Sequence, residues 1–341
     1  MHYLITGHTG FKGSWLSLML KMQGHTVSGI SLNPQKNSLF NQSNLRKLFK
    51  HDLRMNILNT KKLNRALKRI DPQVVIHLAA QPLVLESYKD PIKTYDINLF
   101  GTLNVLESTR YLSNLKATLI ITTDKVYRHN SKFQGYTETD ELAGVDPYSA
   151  SKAAADIASQ VWAKNYATSP VAVARAGNVI GGGDWAENRI IPDLVRAFSS
   201  GQVPLLRHPM AIRPWQHVLD CLFGYIQLID NQIEGSSNWS GAWNFGPDFS
   251  ERKTVSELVY EFGKIWGISD NRVNISDSDL SNEVDFLLLD SSKARSKLNW
   301  TNHLNFTESI KWTGEWYINF IKNNESIMEN QITKYYELCG A

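Results

Sequence analysis

Two cysteines in 341 residues are too few to staple a fold. Cys221 and Cys339 stand far apart and form no metal-ligand spacing, so no metal is expected and a reducing cytoplasm suits them. Long hydrophobic runs are missing too. None approaches the ~20 residues of a membrane helix, which removes a membrane from the expected partners. With a first strand from His2 and a glycine motif by Gly7, no room is expected for a signal peptide. Charge of one sign is scarce: the net value is +3, with Lys and Arg scattered rather than blocked. That excludes the electrostatic case for nucleic acid and leaves open a local basic site for a phosphate-bearing ligand. There are no repeats and no low-complexity block.

What is present is 42% apolar and 20% charged, the composition of a soluble globular chain. Short β-rich runs alternate with helical stretches through the N-terminal half. Strands are predicted at 2–6, 26–32, 73–78, 117–122 and 171–175; helices are predicted at 11–23, 60–70, 92–112 and 148–165. Such alternation predicts an α/β fold with a doubly wound parallel sheet of the Rossmann type. After Gly177, glycine-rich loops, tryptophans and shorter helices at 191–199 and 255–266 predict a smaller C-terminal substrate-binding region. The expected division is a dinucleotide-binding domain at 1–177, with a returning strand near 242–246. A mainly substrate-binding domain at 178–322 and a polar tail at 323–341, an exposed helix or frayed, follow.

"ITGHTGFKG" closes the first strand and opens the first helix, setting Gly7, Gly10 and Gly13 at three-residue spacing around Phe11. A pyrophosphate needs this: a tight turn, close backbone approach and amides at a helix N-terminus. The strand–loop–helix context meets the condition that a bare glycine triplet does not. At the end of the second strand, where a carboxylate usually grips the ribose of NAD, stands Asn33. Asn33 can bond a hydroxyl without repelling a 2′-phosphate, so NAD is expected and NADP is also admitted. Asp52, with Leu53 beside it, suits an adenine amino group, although a loop aspartate fits the pattern nearly as well. Leu78, Ala79 and Ala80 end a strand with small residues that leave space beside the cofactor.

"PYSASKAAAD" puts Tyr148 and Lys152 on one face of a helix. An ammonium beside a phenol favours the phenolate, from an ordinary value of ~10. Thr123, at a strand end, can bond the hydroxyl that Tyr148 deprotonates. Asp124 and Lys125 follow directly, an acid and a base at the edge of the same crevice. The loop acids Glu138, Asp140 and Glu141 read as solvated. His217 reads as a structural hydrogen-bonder, and Trp185, Trp215 and Trp243 as core or wall.

Together these motifs resemble the extended short-chain dehydrogenase/reductase family, in its nucleotide-sugar epimerase and dehydratase group. "GHTGFKGSWLS", "HLAAQPLV", "TTDKVY", "DPYSASKA", "RAGNVIGGGDW", "RIIPDLVRAF", "IRPWQHVLD", "WNFGP" and "LDSSKARSKLNW" resemble the CDP-glucose 4,6-dehydratases over nearly the whole chain. Asn33 and Val126 depart from that family, which tends to carry Asp and Cys there. The resemblance implies an internal redox cycle on a CDP-linked hexose with a tightly bound nicotinamide cofactor. Tyr148 takes the C4 hydroxyl proton as hydride leaves C4, the 4-ketone acidifies C5–H, and water leaves from C6 before the hydride returns there. It further implies Asp124 as the acid for the leaving hydroxyl and Lys125 in the position of the C5 base, or as a stabiliser of enolate charge. Asn178 matches a diphosphate contact, Arg189 and Arg213 are cations for phosphate oxygens, and a homodimer forms through a four-helix bundle. Bacterial surface deoxysugars such as those of lipopolysaccharide are the implied destination. A 4-epimerase or reductase would need Thr123, Tyr148 and Lys152 but not the acid–base pair. A non-catalytic dinucleotide sensor would need neither.

Overall fold

Seven short, mostly apolar segments run in one direction in the computed structural model. It describes residues 1–130, 132–235, 237–268, 273–275 and 287–340. They are β1 (His2–Thr6), β2 (Thr26–Ser31), β3 (Phe49–Arg54), β4 (Val74–His77), β5 (Ala117–Ile121), β6 (Val171–Ala176) and β7 (Gly241–Phe245). All pairings are parallel, in the order β7-β6-β5-β4-β1-β2-β3. Alternation sorts the side chains: Tyr3, Ile5, Val74 and Ile76 enter one core, Leu4, Ile30 and Val75 the other. Helices α1 (Phe11–Met22) and α2 (Thr60–Ile70) cover opposite faces, through Trp15, Leu16 and Met19 in the first core and Leu63 and Leu67 in the second. The strand order reverses between β1 and β4, which opens a crevice at their C-terminal ends.

Strand β3 carries no alternation that would announce it. Phe49-Lys-His-Asp-Leu-Arg is charged and only partly buried because it forms the sheet's edge. The helix expected over 92–112 is broken into Pro91–Tyr95, a π-turn at Asp96–Phe100 and α3 (Gly101–Thr109). At the π-turn the buried Asn98 accepts from Gln81 N at 2.8 Å and donates to Ser151 Oγ at 2.9 Å. A π-turn re-aims one side chain out of the helical register, and here it aims an amide at the helix that carries Ser151. That helix, α4 (Pro147–Asn165), starts at Asp146, whose carboxylate accepts from Ser149 N at 2.9 Å, with Pro147 in the first helical position.

Helices α5 (Ile190–Ser199), α6 (Val218–Glu234), α7 (Val255–Ile265) and α8 (Phe306–Asn323) occupy the second half. Residues 269–272 and 276–286 of the expected substrate region lie outside the described residues. The tail is the helix expected as one alternative, but one face of it is buried rather than exposed. It folds as α9 (Met328–Cys339), burying Met328, Ile332 and Tyr335, and the Tyr335 hydroxyl donates to Asp220 Oδ1 on α6 at 2.7 Å. Its apolar spacing at i, i+4 and i+7 is a helical face, too short a signal in a polar tail to show docking.

Candidate active site

The loop after β1 is built for close backbone approach. Gly7 has φ +75°, and a Cβ there would meet Ala79 N at 2.7 Å; one on Gly13 would meet Gly7 O at 2.4 Å. Gly10 caps α1 with no side-chain hydrogen bond, and the first turn carries no acid, so no side-chain charge there offsets the positive helix end. These residues fit a dinucleotide pyrophosphate. Phe11 and the partly buried Leu78, Ala79 and Ala80 stand around the same loop, with Leu78 N bonded to Thr6 O at 3.0 Å. Asn33 is exposed just beyond β2. Asp52 is no loop residue: it sits in β3, bonded to His8 Nε2 at 2.8 Å and to Arg54 at 2.7 Å. Leu53 packs against the second core.

At the end of β5 the chain turns through a short 3₁₀ segment, Asp124–Val126. The Thr123 hydroxyl donates to Asp124 Oδ1 at 2.9 Å and lies beside the Tyr148 phenol. Lys152, buried, donates to the Ile121 carbonyl at 2.7 Å. Thr123, Asp124, Tyr148 and Lys152 thus converge, with Lys125 half-buried on the same turn. Burial pushes the Asp124 carboxyl up, against the opposing pull of Lys125 and the Thr123 hydroxyl. It pushes Lys152 down to about 8, with help from the Lys12 ammonium. Tyr148 moves opposite to the sequence expectation. Burial carries its phenol up to about 12, opposed by Thr123 and then by Arg189. The ammonium of Lys152 is spent on a backbone carbonyl, and desolvation dominates.

Arg189 precedes α5 and pairs with Asp184 at 2.7 Å; its charge reaches Tyr148. Arg213 lies in a two-residue strand (Ile212–Arg213) and reaches Asp124 electrostatically. Asn178 follows β6, and its carbonyl accepts from Gln216 N at 3.1 Å. A cavity of about 390 Å³ lies beside α5, lined by Asn188, Ile190, Asp193, Arg196, Gln202 and Leu206 among others. It flanks Arg189 in the chain rather than enclosing Tyr148. His217 is fully buried and accepts from Leu219 N at 3.3 Å, and burial holds its ring down at about 3. Trp215 and Trp243 are core, and Trp185 packs edge-on against Tyr317. Glu138 is not solvated: its Oε1 accepts from Asn244 N at 2.8 Å on β7. Asp140 pairs with Lys132 at 2.6 Å, and Glu141 pairs with Arg128 at the surface.

Two residues at the site escape sequence reasoning. Lys12 places a cation inside the glycine motif, bonded to Tyr225 at 3.4 Å and felt by Lys152 and Asp124. Its signal was a charge where a buried helix start calls for an apolar residue. Asn98 had a weaker one, an amide between the apolar Ile97 and Leu99 of a helical run. Among the described residues, no group of three or more His, Cys, Asp or Glu could hold a metal, and no helix is long and apolar enough to cross a membrane.

A parallel dinucleotide-binding sheet with Tyr148 and Lys152 facing a strand-end threonine defines an enzyme of the short-chain dehydrogenase/reductase class. Residues 4–313 match the GDP-mannose 4,6 dehydratase family, and the chain belongs to it. It is 38% identical to the CDP-glucose 4,6-dehydratase of Salmonella typhimurium, over 97% of this chain and 95% of that protein. A dTDP-glucose 4,6-dehydratase of Neisseria meningitidis is 26% identical over 83% of this chain and 82% of its own length. Among solved structures, a UDP-glucose 4-epimerase from Thermotoga maritima with UDP-glucose superposes with a TM-score of 0.84 at 23% identity, covering 94% of this chain and 100% of that one. A dTDP-glucose 4,6-dehydratase from Bacillus anthracis in complex with NAD gives 0.78 at 24% identity, covering 95% and 97%. These two likenesses concern the fold.

Proposed function

We propose that the chain converts CDP-D-glucose to CDP-4-dehydro-6-deoxy-D-glucose with release of water, using NAD that is regenerated in each turnover. The observation that carries this reading is the acid–base pair Asp124–Lys125 at the end of β5, beside Tyr148 and Lys152. Oxidation of an alcohol needs only the latter two with Thr123. Loss of water also needs a proton donor and a proton acceptor. The nucleotide rests on the likeness to the Salmonella enzyme.

Bound at the glycine loop, NAD supplies the acceptor for the C4 hydride and its return at C6. Tyr148 takes the C4 hydroxyl proton, and Thr123 orients that hydroxyl. Lys152 holds the nicotinamide ribose. Asp124, whose carboxyl burial pushes up, gives its proton to the departing C6 hydroxyl, and Lys125 takes the C5 proton. Gly7, Gly10, Phe11 and Gly13 hold the pyrophosphate, Asn33 the adenosine ribose, and Asp52 with Leu53 the adenine. Leu78, Ala79 and Ala80 line the cofactor. Residues 178–322 grip the substrate: Asn178, Arg189 and Arg213 its diphosphate, and the cavity beside α5 its nucleoside. The product would feed bacterial surface deoxysugars from the cytoplasm, in keeping with the free thiols of Cys221 and Cys339.

Purified protein given CDP-glucose and NAD, with no added reductant, tests the reading by mass. Loss of one water with no net reduced cofactor is the expected result. An isobaric product would make the chain a 4-epimerase, and an unchanged substrate would sink both readings.

A homodimer forms through the paired helices. Tyr88, Ile92, Phe100 and Tyr111 are exposed on the helical stretch that leads into and out of α3, and Ile157 and Val161 are exposed one turn apart on α4. Ile157→Lys with Val161→Lys is expected to halve the mass measured by light scattering. An unchanged mass would place the interface elsewhere.

A further inference from the structure

Residues 122–127 are fastened at both ends to the two members of one buried ion pair. At the upstream end, the Thr122 hydroxyl donates to Asp156 Oδ2 at 2.9 Å. Downstream, the Tyr127 hydroxyl accepts from Arg175 at 2.8 Å and donates to Asn244 Oδ1 at 2.6 Å. Asp156 and Arg175 meet through two bonds, 2.7 and 2.8 Å long, with side chains 0% and 1% exposed. Asp156 lies one turn beyond Lys152 on α4, and Arg175 lies on β6. Between the fastened ends stand Thr123, Asp124 and Lys125.

The pair is unusually well satisfied. Asp156 Oδ1 also accepts from Gln160 at 2.7 Å, and Arg175 also donates to the Glu138 carbonyl at 3.2 Å. The Arg175 guanidinium lies 5.0 Å from the centre of the Tyr127 ring, which stacks on Tyr136. A buried ion pair is weak evidence for stability, because apolar residues of the same volume serve as well. Fixing geometry is what a planar, bidentate pair does better than they can. Tyr148 and Lys152 do not depend on this clamp in the same way. Their helix is also tied by Lys152 to Ile121 O and by Ser151 to Asn98.

We propose that the Asp156–Arg175 pair, acting through Thr122 and Tyr127, positions Asp124 and Lys125 for the elimination step. This inference rests on the dehydration reading. In that step the C5–H bond breaks with its proton going to Lys125, and its electron pair forms the C5–C6 double bond. The C6–O bond breaks as Asp124 protonates the oxygen, so one water leaves and nothing is oxidised. Thr122 and Tyr127 are positioning residues, because neither touches the substrate in this scheme.

The test uses the full chain with NAD and CDP-glucose. It follows reduced nicotinamide by absorbance, for C4 oxidation, and product by mass, for loss of water. Tyr127→Phe is expected to slow water loss roughly tenfold or more while oxidation, which draws on this segment only through Thr123 and otherwise on Tyr148 and Lys152, falls several-fold less, so reduced cofactor accumulates. Thr122→Val is expected to shift the partition the same way, and Thr122→Ser to restore it. A merely structural role predicts that both steps fall together with the folded fraction, or that neither changes. Either result overturns the clamp. If Tyr127→Phe does not fold, the Thr122 pair of variants decides alone. A wild-type protein that loses no water overturns the functional reading itself, before any variant is compared.

Discussion

Tyr148→Phe is expected to stop the reaction at its first step, lowering turnover roughly 100- to 10,000-fold, the span general base catalysis supplies. Phenylalanine keeps the ring and its packing but leaves the C4 hydroxyl with no group to take its proton. Thr123 cannot substitute, since its own hydroxyl donates to Asp124. The variant should therefore show neither water loss nor a transient of reduced cofactor. In the wild type, the buried phenol at about 12 means that few molecules hold a phenolate near neutrality. Oxidation should therefore accelerate as pH rises toward that value. A Tyr148→Phe protein that still shows the transient would remove Tyr148 from the chemistry. Retained folding, checked by thermal melting, separates that result from collapse.

The sequence made the inner strands legible because their partners demand apolar residues on both faces. Val-Val-Ile-His and Ala-Thr-Leu-Ile-Ile could hardly be anything else. Edge strand β3 escaped for the converse reason: one side of it has no strand to satisfy, so charges are tolerated. The glycine loop could be read because its spacing is a steric requirement at Gly7 and Gly13. Arg175 could not be read as anything but a charge in a strand. Its partner Asp156 is 19 residues away on another element, and only the fold brings them together. The same limit governs Tyr148, whose proton affinity is set by desolvation that the spacing of Tyr148 and Lys152 does not encode.

Lys125→Met is expected to split the reaction in two. C4 oxidation should survive, because Tyr148, Thr123 and Lys152 are untouched. Elimination should fall roughly 100- to 10,000-fold, since the C5 proton has lost its acceptor. Reduced cofactor should then accumulate, and no solvent deuterium should enter at C5. Normal dehydration by this variant would show that Lys125 is not the base. Asp124 supplies the complementary test. Its Oδ1 accepts from Thr123, and its buried Oδ2 has no hydrogen-bond partner among the described residues, leaving that oxygen to carry a proton toward the leaving group. Burial raises this carboxyl, so the protonated form persists above the ordinary range of an aspartate and is lost as pH rises through the raised value. Water loss in the wild type should accordingly decline on that side, while C4 oxidation, which needs no acid, should not. In Asp124→Asn the amide cannot surrender a proton to the departing hydroxyl, so elimination should be slow at every pH and its dependence on pH flat. A variant that keeps the wild-type decline would place the acid elsewhere and leave Asp124 as the residue that merely orients Thr123.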